Sequence, residues 1–202
     1  PGSPSAYDDE FATGSISGSW TNFGTPDTIN ASTYLGFIYL LDNDAAECGM
    51  YETYTPGANA LSVAVKMIYN IGAAGFNYCG VVLADNAANP LATLTLQNDN
   101  AGALQVRTGF DGTTTVTNAT LGNYLTKTLL GVMYLLVTRD NTTGYTVYMG
   151  NDGLQWLTLG TFTKAGTIDR LYLVGNGQGG TNIDVKFDFV RTFTSQTFTI
   201  GS

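Results

Sequence analysis

The pattern that most constrains this chain is a relay of short alternating segments separated by turn residues, with almost no stretch of helical period from end to end. Strands are expected near 34–41, 50–55, 61–69, 78–85, 92–97, 103–108, 113–118, 132–139, 145–150, 154–161, 168–175 and 184–193. That spacing suits an antiparallel sandwich. In LSVAVKMIY (61–69), Leu61, Val63, Val65, Met67 and Tyr69 alternate with Ser62, Ala64, Lys66 and Ile68, so one face turns inward. Leu94 and Leu96 do the same in ATLTLQ. Near the C-terminus, YTVYMGNDGLQW (145–156) reads as two strands around a tight turn, because Asn151-Asp152-Gly153 tolerates positive φ.

The closing segment VKFDFVRTF (185–193) poses a chemical question. Strict alternation puts Phe187, Phe189 and Phe193 on one face with Val185 and Arg191, and Asp188 on the other with Lys186, Val190 and Thr192. A lone carboxylate at the centre of a strand needs a partner.

At 202 residues and 44% hydrophobic content, the chain suits one large all-β domain over 7–202, preceded by a linker remnant over 1–6 that contains PGSPS. It opens at Pro1 with no charged, then apolar, leader, and so reads as processed or as a piece of something larger. The net charge is −8, and the four Lys and four Arg are scattered along the sequence. Nucleic acid needs a basic stripe and anionic membranes a polybasic patch, so both partners are excluded at this stage. The same scatter predicts recognition by loops and aromatic side chains rather than by charge. The apolar runs LGFIYLL (35–41) and LLGVMYLLV (129–137) are too short to span a bilayer as helices and read as central strands. Histidine is absent, which removes Ser-His-Asp and Cys-His nucleophile systems and most zinc sites. Cys48 and Cys79 read as buried thiols in neighbouring strands rather than as a disulfide.

Five segments, AYDDEF (6–11), SGSW (17–20), NYCGVVLAD (77–85), DGLQW (152–156) and FDFVR (187–191), occur in an order that resembles concanavalin A-like jelly rolls. More narrowly, the pattern is similar to the laminin G-like modules appended to glycosidases, surface proteins and bacteriophage tail or capsid proteins. The resemblance implies two curved antiparallel sheets, first and last strands side by side, and ligands on the concave sheet or the loop rim. It also implies a structural calcium held by Asp188, in the position of the D-x-V-R aspartate, with main-chain oxygens around Asp9. The alternative for Asp188 is pairing with Arg191 or Lys186, or exposure to water.

Glycosidases of this fold carry E-x-D-x-x-E on one strand. Here the same spacing occurs only in Glu47-Cys48-Gly49-Met50-Tyr51-Glu52, where Gly49 replaces the helper acid, and both glutamates read as solvated residues beside a turn. No enzyme is expected. Trp20 and Trp156 are weighed as sugar-stacking residues, and Trp156 is assigned to the core. Ligand stacking is expected among Tyr51, Tyr54, Tyr69, Phe76 and Tyr78, around the 70–78 loop. The resulting expectation is a non-catalytic module on a bacteriophage virion or another extracellular surface, binding glycans weakly through many copies. A structural domain cementing a virion or surface multimer is the alternative, and a laminarinase-like hydrolase comes third.

Overall fold

The structure, a computed structural model, describes residues 8–11, 16, 19–44, 46–56, 60–72, 75–116, 130–140, 143–178 and 182–194. Among these, two antiparallel sheets of seven strands pack face to face. The front sheet runs from edge to edge as β1 (Trp20–Phe23), β4 (Cys48–Thr53), β13 (Arg170–Asn176), β6 (Tyr78–Ala84), β7 (Pro90–Asn98), β8 (Leu104–Gly109) and β9 (Thr114–Val116). The back sheet runs as β12 (Leu157–Thr163), β11 (Gly144–Gly150), β10 (Leu130–Arg139), β5 (Leu61–Ile71), β14 (Ile183–Thr194), β3 (Ile38–Asp42) and β2 (Thr28–Asn30). Each expected segment overlaps a strand, although β3 begins only at Ile38 and β12 at Leu157, and residues 117–118 lie outside the described residues. The two strands without a sequence signal, β1 and β2, are edge strands of four and three residues, too short to display alternation.

The core lies between the sheets, where Val63, Val65 and Met67 of β5 meet the inward rows Val81 and Leu83, Leu94 and Leu96, and Leu171 and Leu173. Burying each such side chain stabilises the fold by about 1.5–3 kcal/mol. Trp20 belongs to this core, edge-to-face with Phe11 at 6.0 Å, and its Nε1 donates to Asp9 at 3.1 Å. It is therefore not a sugar-stacking residue. The main chain of Asp9 exchanges both hydrogen bonds with Val190, which places the N-terminal segment beside the closing strand.

Two local readings change. In β14, Phe187 faces Met67 and Phe189 faces the very next residue, Lys66, so Asp188 is the extra residue of a bulge. A slip of one residue reverses every later side chain. Phe187 and Val190 consequently point into the core, whereas Phe189 and Phe193 pack on the outer face of the back sheet. The turn after β11 is also wider than a tight hairpin, because pairing resumes only at Met149 with Leu157. Asp152 Oδ1 accepts from the N–H groups of Leu154 and Gln155 at 2.8 and 3.0 Å, and Gly153 sits at φ +72°. This loop delivers Trp156 to the outer face of the back sheet, where it is buried over Ala64 and Leu136 rather than between the sheets.

Cys48 and Cys79 are free and buried. Both are in register with Gly175, one on either side of β13, so they sit on next-nearest rather than neighbouring strands. Two strand spacings of about 4.8 Å exceed the reach of a disulfide. Burial pushes both thiols up.

Candidate functional site

The outer face of the front sheet holds a cleft of about 500 Å³. Its floor follows from one register row: Phe23, Gly49, Val174, Gly80, Thr95 and Arg107 lie side by side across six strands. Gly49 and Gly80 are at positive φ, and a Cβ on either would strike the carbonyl oxygen of Leu173 or Leu94. Only glycine fits. The row therefore has no side chain at two central positions, and the neighbouring rows stand above it as walls.

One wall is the row Tyr51, Tyr172, Val82 and Thr93. The Tyr51 and Tyr172 rings are 5.1 Å apart, and Phe23 meets Tyr172 edge-on at 5.3 Å. Arg170, two residues before Tyr172 on the same face, donates from Nη1 to the Tyr172 hydroxyl at 3.1 Å, and its guanidinium lies 4.9 Å from the Tyr51 ring centre. The opposite wall is formed by Tyr78 and Gln97. Tyr78 donates its hydroxyl proton to Glu47 at 2.8 Å, and burial together with the Glu47 charge pushes the phenol up. Gln97 Nε2 donates to the Phe76 carbonyl at 3.1 Å. At the far end Asp111 accepts from the Thr113 hydroxyl and N–H at 2.7 and 3.1 Å, which holds its carboxyl below the usual range. Aromatic faces beside orienting hydrogen-bond groups suit a ligand with apolar C–H faces and many hydroxyls.

Of the five aromatics singled out from the sequence, Tyr51 and Tyr78 line this cleft. Tyr54 and Tyr69 are core residues, each 2% exposed: Tyr69 takes an inward position of β5, and Tyr54 turns inward just past the end of β4. Phe76 is half-exposed before β6 and lies outside the cleft lining. Phe23, Tyr172, Arg107 and Arg170 were not anticipated. The alternation of RLYLV in β13, with Leu171 and Leu173 inward, carries the signal for two of them.

Glu47 and Glu52 occupy opposite faces of the sheet. Their spacing of five reverses the face on a strand, so they do not form a carboxylate pair. Glu47 lines the cleft, while Glu52 lies inside opposite Trp20, 3% exposed rather than solvated. Desolvation and the nearby charge of Asp9 push Glu52 up to about 7.

Asp188 forms an ion pair with Lys66 on the outer face of the back sheet. Arg191 pairs instead with Glu10, and Lys186 with Asp184. The Asp9 carboxylate accepts from the Phe11 N–H at 2.7 Å and from Trp20. Each of the two carboxylates thus has donors of its own, and among the described residues no three His, Cys, Asp or Glu side chains gather where they would hold a metal ion. Of the groups expected around a calcium ion, Asp188 is engaged by Lys66, and the main-chain oxygen of Asp9 accepts from the Val190 N–H at 2.9 Å.

No family model and no curated protein matches the chain. Solved structures do. The GH43 protein BlXynB from Bacillus licheniformis aligns with a TM-score of 0.71 at 17% identity, over 93% of this chain and 39% of that one. A xylan beta-1,4-xylosidase from Bacillus halodurans C-125 gives 0.67 at 13% identity, over 95% and 40%. The Emp47p carbohydrate recognition domain gives 0.57 at 14% identity, over 96% and 97%. The fold is the concanavalin A-like jelly roll. The chain spans about two fifths of the two GH43-type and xylosidase chains. These neighbours correct the expectation that the protein is not an enzyme, since the same sandwich occurs within glycoside hydrolases. The separation of Glu47 from Glu52 removes one mechanism and does not exclude others.

Proposed function

We propose that this domain binds a carbohydrate chain in the front-sheet cleft. The observation that carries the reading is the glycine-floored row, with Phe23 at its end, between Tyr51 and Tyr172 on one side and Tyr78 and Gln97 on the other. Pyranose C–H faces stack on the aromatic rings, and Thr93, Thr95 and Gln97 supply hydrogen bonds to hydroxyls. The structural neighbours, a carbohydrate recognition domain and a xylosidase among them, support the ligand class.

The cleft is open, and one domain offers few anchoring side chains, so several copies held together raise the effective affinity. Display on a bacteriophage virion or another outer surface is the wider setting of the proposal, supported by a surface poor in charge, with only 12% charged residues. A second reading, a domain cementing a multimer, has its own observation: Leu154 and Val132 are 76% and 44% exposed.

A glycan array read with a multimerised form of the domain tests the proposal. Binding that is weakened in both Tyr51→Ala and Tyr172→Ala is the expected outcome. No glycan retained, together with a stable oligomer that buries Leu154, favours the cementing reading.

A further inference from the structure

The cleft has a property that the scattered basic residues of the sequence concealed. The chain carries −8 overall and four arginines, and two of these, Arg107 and Arg170, line this one cleft. They stand on β8 and β13 with β6 and β7 between them, and Arg107 shares a row with Val174 rather than Arg170; three strand spacings across and four residues along put them roughly 19 Å apart. Lys164 adds a third positive charge near Asp111, its ammonium 4.4 Å from the Phe110 ring centre.

Two acids, Glu47 and Asp111, line the cleft as well and keep their charge, so an anion is favoured at Arg170 itself rather than over the whole cleft. Glu47 accepts from Tyr78, and Asp111 from Thr113. Asp85, whose field reaches Arg170, accepts from the N–H groups of Ala87 and Asn89 and from the Asn89 side chain. Among the described residues Arg170 forms no ion pair. Its guanidinium rests on the Tyr51 ring and is tethered by Nη1 to the Tyr172 hydroxyl. A planar donor fork fixed in this way keeps donors for a two-oxygen acceptor, at little further loss of side-chain freedom.

We infer that the glycan taken by this cleft is anionic: a sugar bearing a carboxylate or a sulfate, whose charged group seats on Arg170 while its ring lies against Tyr51 and Tyr172. The inference rests on the carbohydrate reading above and adds the charge of the ligand to it. Arg107, on the same face of the cleft, offers a second positive site to a further charged unit of a long chain.

Calorimetric titration of the whole chain tests this with four probes: oligogalacturonate for carboxylate, carrageenan oligosaccharide for sulfate, and xylo- and cello-oligosaccharides as neutral controls. At least one anionic probe is expected to bind tenfold or more tightly than both neutral ones, and which of the two does so separates carboxylate from sulfate. The advantage should shrink at high salt, vanish in Arg170→Gln, and fall partway in Arg170→Lys, which keeps the charge but loses the fork. Arg107→Gln should reduce it less. Tyr51→Ala should weaken charged and neutral probes alike, and circular dichroism checks that each variant is folded. Neutral probes that bind as tightly as charged ones, or an anionic preference intact in folded Arg170→Gln, overturn the inference while leaving the carbohydrate reading in place. If no probe binds in a way that Tyr51→Ala weakens, both fall together.

Discussion

The outer faces of the two sheets are built from the same kinds of side chain and end in opposite states. On the front sheet, Phe23, Tyr51, Tyr78 and Tyr172 surround a row whose middle is Gly49 and Gly80. On the back sheet, Tyr134, Tyr148, Phe189 and Phe193 surround Ala64 and Leu136, but the 151–156 loop lays Trp156 over that centre. The front face is a cleft, whereas the back face is a second small core with Trp156 only 5% exposed. Aromatic content therefore does not make a binding face. What fills the centre of the sheet decides, together with whether a loop brings a lid of indole.

The largest test of this contrast is Trp156→Ala. Removing a buried indole should cost about 3–5 kcal/mol in urea unfolding, with glycan binding by the folded fraction unchanged. A loss under about 1 kcal/mol, the size of an ordinary surface change, would show that the back face is not packed as a core.

The contrast also runs along β4 and the residue before it, where Glu47 faces the open cleft and Glu52 the interior. Because the folded state raises Glu52 from 4.5 to about 7, it binds a proton more tightly than the unfolded chain between those values. Stability should thus fall as pH rises from about 4.5 to about 7 and level off above, by at most about 3 kcal/mol. Glu52→Gln should remove that slope. Parallel unfolding curves for the two proteins across this range would contradict the burial of an uncompensated acid.

A smaller effect is expected at Tyr51. Its half-exposed ring is available to ligand, so Tyr51→Ala should weaken glycan binding about tenfold, or ~1.4 kcal/mol, and leave the unfolding midpoint nearly in place. The reverse pattern, a large stability loss with binding retained, would make the front face structural like the back. The smallest effect belongs to the Asp188–Lys66 pair on the back face. Asp188→Asn should cost under about 1 kcal/mol, and chelator should leave the wild-type melting temperature unchanged. A drop in chelator that is absent from Asp188→Asn would instead support a calcium ion at Asp188.

The strands and their inward rows were legible because alternation is a local property: Val63, Val65 and Met67 announce their face within one segment. The bulge at Asp188 was not, because an extra residue is visible only against the partner strand, where Phe187 and Phe189 face Met67 and Lys66. The cleft was half legible. Tyr51 and Tyr78 were found, but its floor depends on Gly49 and Gly80 meeting across β13, and its charge on Arg107 and Arg170 sharing a face, both consequences of long-range register. Tyr54 and Tyr69 show the matching error, since grouping aromatics by proximity in sequence ignores which side of a strand each one takes.

The measurement closest to the central claim is an amide NMR titration of the chain with the tightest-binding glycan. The predicted result is shift changes centred on Gly49, Gly80, Thr95, Tyr51, Tyr172 and Arg170, while Lys66, Leu136, Phe189 and Phe193 stay unmoved. Shifts centred on the back-sheet residues, with the glycine row silent, would contradict the assignment of the open face as the binding face.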